Sequence, residues 1–286
     1  MPALRTVATI FDSNMRPITI TSWPAPPRGV NRVLTWLRIP YEYLVLYGGL
    51  LLFGFSVFMW SAAAAVLYPL LPRRFGSRLG QFAIMAIFRG FLGVLKASGI
   101  VKFDLSVLDA LRGEGALIIA PNHPSLLDAV LVASRLPQVV CIMKAEIWNN
   151  LILGGGARFA AYIRNDSPFA MIRSAAAALR AGNQLLVFPE GTRTRPKAGY
   201  HFKSGFALIA KTARVPIQTV FIETNSLFLS KGWPLFRKPA FPLIYRARLG
   251  RRFEVKGNVK ALVAEMECYY RETLAAGTPV HGETNR

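Results

Sequence analysis

The pattern of apolar and polar positions divides the chain into an apolar N-terminal part and a C-terminal part in which strand-like and helix-like segments alternate. After residue 99, short apolar runs between turn residues predict strands, and apolar positions at a helical period predict helices. The predicted strands are residues 101–105, 116–120, 139–143, 184–188, 217–222 and 243–249, and the predicted helices are residues 126–134, 170–181, 206–213 and 259–276. This order predicts an α/β fold for residues 99–286, with a mixed sheet flanked by helices. Residues 226–241 are predicted to be a long surface excursion.

An uncharged apolar run occupies residues 43–71. As one helix the run would measure roughly 43 Å, which is more than the ~30 Å hydrocarbon core of a bilayer requires. A hairpin that crosses the bilayer twice would need about 40 apolar residues, so the run predicts a single membrane helix, tilted or partly embedded. Residues 1–40 have scattered apolar positions and no cleavable-signal pattern, and we expect them to form a loosely ordered arm.

Residues 74–98 predict a second helix that carries a narrow basic stripe. At about 100° per residue, its polar side chains fall within about 80° of each other, and the other positions are largely apolar. The stripe consists of Arg74, Arg78, Gln81, Arg89 and Lys96. Such a helix suits the membrane interface; the alternative is a core helix whose polar face meets solvent. We therefore expect residues 41–98 to be a membrane-embedded two-helix anchor in front of the α/β domain.

The arginines that flank the first helix are nearly equal in number on its two sides. Arg28, Arg32 and Arg38 precede the apolar run, and Arg73, Arg74, Arg78 and Arg89 follow it. Because the positive-inside rule nearly cancels, both flanks are expected to be cytoplasmic.

The composition adds a strong positive charge. The 286 residues are 52% hydrophobic and include 35 Lys and Arg against 15 Asp and Glu, which gives a formal net charge of +20. This charge indicates an anionic surface or partner, for which nucleic acid, anionic lipid and acidic carrier proteins all qualify. Cys141 and Cys268 lie far apart without metal-ligand spacing, which favours a reducing compartment and predicts no metal site.

Residues 121–128, PNHPSLLD, place His123 five positions before Asp128. Residues five apart within one helix point about 140° from each other, so these side chains meet only if His123 precedes the predicted helix and Asp128 lies in its first turns. The pattern then predicts a general base that is oriented by a carboxylate. Ser125 is expected to cap the helix, because no Gly-x-Ser-x-Gly elbow marks it as a nucleophile.

A second polar stretch, FPEGTRTR at residues 188–195, starts at the end of a predicted strand. Its glycine lets the backbone turn closely, and Arg193 and Arg195 offer forked donors suited to phosphate oxygens. The stretch predicts an anion site, and the alternative is a structural ion pair between an arginine and Glu190. Two further candidates for anion binding are Lys144 and Arg164.

The two stretches, about 65 residues apart, resemble the motifs of the lysophospholipid acyltransferase family, the glycerolipid acyltransferases that include 1-acylglycerol-3-phosphate acyltransferase. The resemblance covers residues 100–222, and residues 215–217 are similar to the fourth motif of the family. It implies an acyltransferase domain at residues 99–286 and an enzyme on the cytoplasmic face of a membrane, the inner membrane in a bacterium. This enzyme would move a fatty acyl chain from acyl-CoA or acyl-carrier protein to the free hydroxyl of a lysophospholipid, above all lysophosphatidic acid.

Carried over residue by residue, the resemblance implies that His123 is the general base and that Asp128 orients it. It implies acceptor binding by Glu190, Gly191, Thr192 and Arg193, with Lys144 and Arg164 as further phosphate contacts. It implies no cofactor and no metal. The implied partners are the lysophospholipid, the thioester donor and membrane lipids, and they do not include nucleic acid.

Three alternatives remain at this point. In the first alternative the acceptor is a lyso-lipid with an amino-acid or sugar headgroup. In the second, the same base activates water in a thioesterase or lipid hydrolase. In the third alternative the chain is a non-enzymatic module that binds anionic lipid, which leaves both motifs without a purpose.

Overall fold

The computed structural model describes residues 8–11, 17–20, 32–150, 154–194, 200–234 and 237–277. Two short strands, β1 (Ala8–Phe11) and β2 (Pro17–Ile20), pair antiparallel and precede two long helices, α1 (Arg32–Leu67) and α2 (Arg73–Ala97). The elements that follow are β3 (Val101–Asp104), a 3₁₀ helix (Ser106–Leu111), β4 (Ile118–Pro121), α3 (Asp128–Ala133), β5 (Val139–Met143), α4 (Ala145–Trp148), α5 (Gly154–Phe159), β6 (Ile163–Arg164), α6 (Pro168–Arg180), β7 (Gln184–Leu186), α7 (Gly205–Ala213), β8 (Ile217–Thr224), β9 (Leu243–Phe253) and α8 (Val259–Gly277).

A seven-stranded sheet in the order β3-β9-β8-β4-β7-β5-β6 forms the centre of the domain. β8 and β9 pair antiparallel, and the other neighbours pair parallel. The predicted mixed sheet is confirmed, as are the six predicted strands and the four predicted helices of the domain. The sequence analysis missed β6, α4, α5 and the 3₁₀ helix, because they are short and because three glycines at the start of α5 lower its helix propensity.

Helices cover both faces of the sheet, so that its central strands are buried on both sides. Along β4, Ile119 packs into an apolar cluster with α1, α2 and α3, whereas Ile118 and Ala120 pack into a second cluster with α6, α7 and α8. This alternation follows from the two-residue period of a strand. The carboxyl ends of the parallel strands β4, β7, β5 and β6 meet at one edge of the sheet, where ligands bind in open α/β sheets.

Helices α1 and α2 are each long and apolar enough to cross a membrane. α1 begins at Arg32, whereas the sequence analysis placed its start at residue 43, so the end of the predicted arm is helical. Pro40 lies inside this helix. A proline removes one backbone hydrogen bond but can be tolerated inside an apolar helix. The helix therefore continues through Pro40 and starts before residue 43, where the sequence analysis placed its beginning.

Helix α2 coincides with the predicted second helix within one residue, but one member of its stripe is placed differently. Gln81 is buried, and its Nε2 donates to the backbone O of Ala160 at 3.2 Å. The four basic members of the stripe are exposed, beside an apolar face that is also exposed. That face includes Phe75, Leu79 and Phe82. An exposed apolar face next to a basic stripe favours the membrane interface over a core helix in solvent.

The glycines of α5 are the point at which α1 docks on the domain. A Cβ atom on Gly156 would lie 2.4 Å from Cδ1 of Trp60, and one on Gly155 would lie 2.9 Å from the backbone O of Ser61. The backbone N of Gly156 also donates to Oγ of Ser61 at 3.3 Å. Because only glycine permits this approach, the glycine cluster attaches the apolar helix to the domain.

The connection between β8 and β9 is not wholly a surface excursion, as the sequence analysis expected. Phe228 and Leu229 are buried and belong to the apolar cluster that contains α1, α2 and α3. Farther along, Lys238 forms an ion pair with the buried Glu42 of α1. The two prolines of this segment indicated irregular backbone, but apolar contacts draw part of it inward.

Candidate active site

His123 and Asp128 meet as the spacing predicted. β4 ends at Pro121 and α3 begins at Asp128, so His123 lies in the turn before the helix. Its Nδ1 lies 2.9 Å from Oδ2 of Asp128. The requirement that the histidine precede the helix and the aspartate open it is therefore met.

Asp128 is fully buried and is held in place by the turn. Its Oδ2 also accepts a hydrogen bond of 2.7 Å from the backbone N of Ser125. Burial raises the pKa of Asp128, and the hydrogen bonds from His123 and Ser125 oppose that rise by favouring the charged form. A buried carboxylate of this kind orients the imidazole and stabilises its protonated form.

Ser125 does not cap α3, contrary to the sequence prediction. The helix begins three residues later, after Leu127. Oγ of Ser125 donates to the backbone O of Phe228 at 3.0 Å and accepts from the backbone N of Leu127 at 3.3 Å. The serine therefore joins the turn that carries His123 to the segment between β8 and β9.

The His123 ring stacks on Phe188, with ring centroids 3.8 Å apart and an angle of 19° between the planes. The histidine side chain is 15% exposed. The stacking and the bond to Asp128 fix the ring, and within the described residues Nε2 has no hydrogen-bond partner. Nε2 is thus left for a substrate. The sequence analysis quoted Phe188 only as part of a motif, since contact between two aromatic rings 65 positions apart cannot be read from spacing.

The stretch after β7 wraps around the backbone of His123. Oε1 of Glu190 accepts from the backbone N of His123 at 3.3 Å and from Oγ1 of Thr194 at 2.7 Å. Burial raises the pKa of Glu190, and hydrogen bonds from Thr194 and from the backbone of His123 oppose the rise. Gly191 has φ +66°, and a Cβ there would lie 2.9 Å from the side chain of Lys203. The left-handed backbone conformation therefore favours glycine, whereas the flexible end of the Lys203 side chain could move aside.

Arg193 faces the segment that precedes β9. Its Nη1 donates to the backbone O of Leu229 at 2.9 Å and of Ser230 at 3.0 Å. Among the described residues, no carboxylate lies within ion-pair distance of Arg193, so a structural ion pair between Arg193 and Glu190 is excluded. Its Nε and Nη2 have no hydrogen-bond partner in the part of the chain that the structure describes.

Two lysines that the sequence analysis missed lie beside this turn. Nζ of Lys231 is 3.5 Å from Oγ1 of Thr192, and the side chain of Lys203 lies across Gly191. Both lysines are exposed. A lone lysine in sequence gives no signal, and only the fold brings these two to the turn.

Lys144 and Arg164 lie farther along the same edge of the sheet. Lys144 follows β5, which is two strands from β4, and Arg164 ends β6, which is three strands away. At about 4.8 Å per strand, these positions are roughly 10 and 14 Å from β4. Nε of Arg164 lies 2.8 Å from Oδ2 of Asp166. Arg195 is outside the described residues.

Asn122 is a further residue of the candidate site to which the sequence analysis gave no role. Its Nδ2 donates to the backbone O of Ile222 at 3.0 Å, and its Oδ1 accepts from the backbone N of the same residue at 2.6 Å. The buried amide thus fixes the chain next to His123 against β8.

Comparisons with known proteins agree with this geometry. A family model described as Acyltransferase matches residues 102–223. The chain is 29% identical over 176 residues to a 1-acyl-sn-glycerol-3-phosphate acyltransferase of Limnanthes douglasii, which covers 59% of this chain and 63% of that protein. It is 21% identical over 240 residues to a protein of the same name from Pseudomonas aeruginosa, with 80% of this chain and 90% of that protein covered. The chain thus spans less than two thirds of the length of the Limnanthes relative.

A solved structure has the same fold. The crystal structure of the 1-acyl-sn-glycerophosphate acyltransferase PlsC from Thermotoga maritima superimposes with a TM-score of 0.58 at 19% sequence identity, covering 87% of this chain and 99% of that one. The region that the family model matches, residues 102–223, contains both the turn of His123 and the turn of Glu190. Residues 102–223 therefore match an acyltransferase domain, and the chain is similar to 1-acyl-sn-glycerol-3-phosphate acyltransferases in sequence and in fold.

Proposed function

We propose that this protein is an O-acyltransferase of membranes that transfers a fatty acyl chain from a thioester to the free hydroxyl of a lysophospholipid. The acceptor is lysophosphatidic acid and the product phosphatidic acid. The observation that carries the proposal is the bond between His123 and Asp128 beside a turn that holds Arg193 and two lysines. The names of the relatives support the same activity.

In the proposed mechanism His123 is the general base. A glycerol hydroxyl is barely ionised at neutral pH, so its attack on a thioester is assisted by removal of its proton as the bond forms, which contributes about 10²- to 10⁴-fold. The acceptor oxygen bonds to the thioester carbonyl carbon while Nε2 takes the proton. The C–S bond then breaks, and the imidazolium returns the proton to the leaving thiolate. Asp128 keeps the second ring nitrogen protonated and stabilises the imidazolium, so no covalent enzyme intermediate is needed.

The acceptor phosphate is proposed to bind at the turn of residues 190–193. Arg193 offers the one edge of its guanidinium that Nε and Nη2 form, and Lys203 and Lys231 add two ammonium groups. Forked donors and point charges together suit a phosphate monoester. Lys144 and Arg164 lie on the side of the site away from β8 and are proposed to contact the phosphates of the donor or of the acceptor.

A narrow apolar pocket with a void of about 30 Å³ lies next to the catalytic turn and is proposed to widen to hold an acyl chain. Its walls come from both apolar helices and from residues that flank the catalytic pair. They include Leu46 and Leu50 of α1, Phe91 and Leu95 of α2, and Leu127 and Phe228 of the domain. Leu127 directly precedes Asp128, so a chain in this cavity would end close to His123.

The donor is proposed to be acyl-CoA or acyl-carrier protein, which approaches from the cytoplasm. Both donors are acidic, and the net charge of +20 favours their encounter with the protein. We propose that the two apolar helices enter the membrane from its cytoplasmic face, which is the inner membrane in a bacterium.

The test is an assay of purified full-length protein with radiolabelled acyl-CoA and, in a second arm, labelled acyl-carrier protein. With lysophosphatidic acid present, labelled phosphatidic acid and free thiol should form in equal amounts, and both should disappear in His123→Ala. Thiol release that does not depend on the acceptor would instead identify a thioesterase. Efficient transfer only to lyso-lipids with amino-acid or sugar headgroups would overturn the choice of acceptor.

A further inference from the structure

A basic cleft lies between α2 and the end of β3, separate from the catalytic residues. It is open to solvent and has a volume of about 400 Å³. β3 is three strands from β4 in the sheet, which is roughly 14 Å at the usual strand spacing. The cations that line the cleft are Arg89 and Lys96 of α2 and Arg135, which follows α3.

The positive charge of this cleft is not compensated by its own carboxylate. Asp104 lines the cleft, but its Oδ2 accepts from Nε of Arg246 at 3.0 Å. Within the described residues, no carboxylate lies within ion-pair distance of Arg89 or Lys96. Arg135 forms an ion pair with Asp109, yet its Nε is buried without a hydrogen-bond partner among the described residues. Two exposed cations without an ion-pair partner among the described residues, beside the Arg135 guanidinium, indicate that an anion completes the site.

The location of the cleft on α2 indicates where this anion comes from. Arg89 and Lys96 are seven residues apart, so they share one face of the helix and lie roughly 10 Å apart along its axis. That face borders the exposed apolar side of α2, which Phe75, Leu79 and Phe82 help to form. With this side in the hydrocarbon, the cleft lies at the level of the phospholipid headgroups.

We propose that the cleft binds the phosphate of an anionic phospholipid headgroup. Arg89 and Lys96 contact the phosphate oxygens from α2, and the guanidinium of Arg135, which also lines the cleft, adds a third cation. A membrane lipid, rather than a substrate, then connects α2 to the domain. This site differs from a non-specific attraction between the basic stripe and an anionic membrane. It binds a single lipid, and it includes a residue of the α/β domain.

The experiment measures thermal unfolding of the purified full-length protein in a neutral detergent, titrated with dihexanoyl phosphatidylglycerol. Dihexanoyl phosphatidylcholine and inorganic phosphate are titrated in parallel arms. We expect a saturable rise of the unfolding midpoint with phosphatidylglycerol alone, as for a ligand that binds only the folded state. Comparable saturation with phosphate would overturn the lipid as occupant, and an equal rise with phosphatidylcholine would show partition without recognition.

Matched double variants locate the site. Arg89→Gln with Lys96→Gln should raise the apparent Kd for phosphatidylglycerol at least tenfold. The control, Arg74→Gln with Arg78→Gln, removes the same charge from the same stripe outside the cleft and should leave the Kd within twofold. Equal effects of the two pairs would refute a discrete site. Arg135→Lys keeps a cation opposite Asp109 but lacks the guanidinium, and it should weaken binding without unfolding the protein.

Discussion

His123 and Thr194, 71 positions apart in the sequence, are joined by two hydrogen bonds. The backbone N of Thr194 donates to the backbone O of His123 at 2.7 Å, and the backbone N of His123 donates to Oγ1 of Thr194 at 3.2 Å. The turn that carries the proposed anion site is thereby fixed to the backbone of the proposed base. Any residue that supports this connection is expected to affect both turnover and acceptor binding.

The first prediction concerns Glu190, which accepts hydrogen bonds from both of these residues. Glu190→Gln keeps an oxygen that accepts them, so we expect turnover to stay within about tenfold of wild type, since a charged acceptor adds only about 1.5 kcal/mol over a neutral one. Glu190→Ala removes both acceptors and should cost more. If Gln were as inactive as Ala, the negative charge itself would act on substrate.

The raised pKa of Glu190 also leads to a prediction about how the free energy of unfolding depends on pH. Because the pKa of Glu190 is raised in the folded protein, folding takes up protons between the unfolded and the folded pKa, and the free energy of unfolding falls as pH rises through that window. Glu190→Gln should therefore make the fall shallower, with Asp128 supplying what remains. Chemical denaturation across the acidic and neutral range measures the slope.

The catalytic pair gives the second prediction. His123→Ala should lower turnover at least about 100-fold, because the general-base contribution alone has that size. Asp128→Asn should cost comparably, since the amide favours the wrong tautomer of the imidazole. Single-turnover kinetics and a thermal unfolding control separate lost chemistry from lost folding. A variant that retained near-normal single-turnover rates would remove its residue from the mechanism.

The third prediction concerns Arg193. In the structure it donates to the backbone O of Leu229 and of Ser230, and in the proposed function it also binds the acceptor phosphate. Arg193→Ala should reduce acceptor efficiency roughly 10- to 150-fold, equivalent to about 1.5 to 3 kcal/mol for a hydrogen bond to a charged group. Arg193→Lys should rescue poorly, because it lacks the planar fork. A neutral acceptor such as a monoacylglycerol is the control. An equal loss with that acceptor would show that Arg193 does not bind the phosphate and acts only through its hydrogen bonds to Leu229 and Ser230.

The attachment of α1 to α5 gives the fourth prediction. Gly156→Ala places a methyl group against Trp60 and should destabilise the folded protein by about 1–3 kcal/mol, the usual cost of overpacking. Gly54→Ala on α1 is the matched control, because a Cβ there meets nothing within 4 Å. Denaturant unfolding in detergent measures both. Similar stability of the two variants would mean that α1 does not dock at the glycines.

The last prediction is that the anchor enters and leaves the membrane on its cytoplasmic side. Arg89 decides whether α2 crosses the bilayer or lies at its interface. A charge near mid-bilayer costs about 2.5 to 3.5 kcal/mol, whereas anionic headgroups stabilise the same charge at the interface. Single cysteines in the N-terminal arm and the C-terminal tail, introduced after Cys141 and Cys268 are replaced, are labelled with a membrane-impermeant thiol reagent on intact cells. Both should stay protected until the membrane is permeabilised. Labelling of the arm alone would show that α1 spans the bilayer.

The sequence by itself determined those features that depend on short-range periodicity and spacing. The apolar run predicted α1, short apolar runs between turn residues predicted six strands, and the order of strands and helices predicted the mixed sheet, because buried segments must be apolar along their length. The five-residue spacing of His123 and Asp128 permitted one local geometry, a histidine before a helix that starts with the aspartate, and that geometry is present. For His123 and Asp128, which are five residues apart, the geometry of one turn and one helix start was enough to predict the contact.

Tertiary structure decided everything that joins distant segments. Spacing cannot show that Phe188 stacks on His123, that Lys203 and Lys231 flank Gly191, or that Gly156 receives Trp60. The start of α1, the buried side of Gln81 and the true partner of Ser125 were also missed, since each depends on what packs against it. Such contacts depend on the order of strands in the sheet, and many strand orders satisfy the same apolar pattern until the side chains of the whole core are packed together.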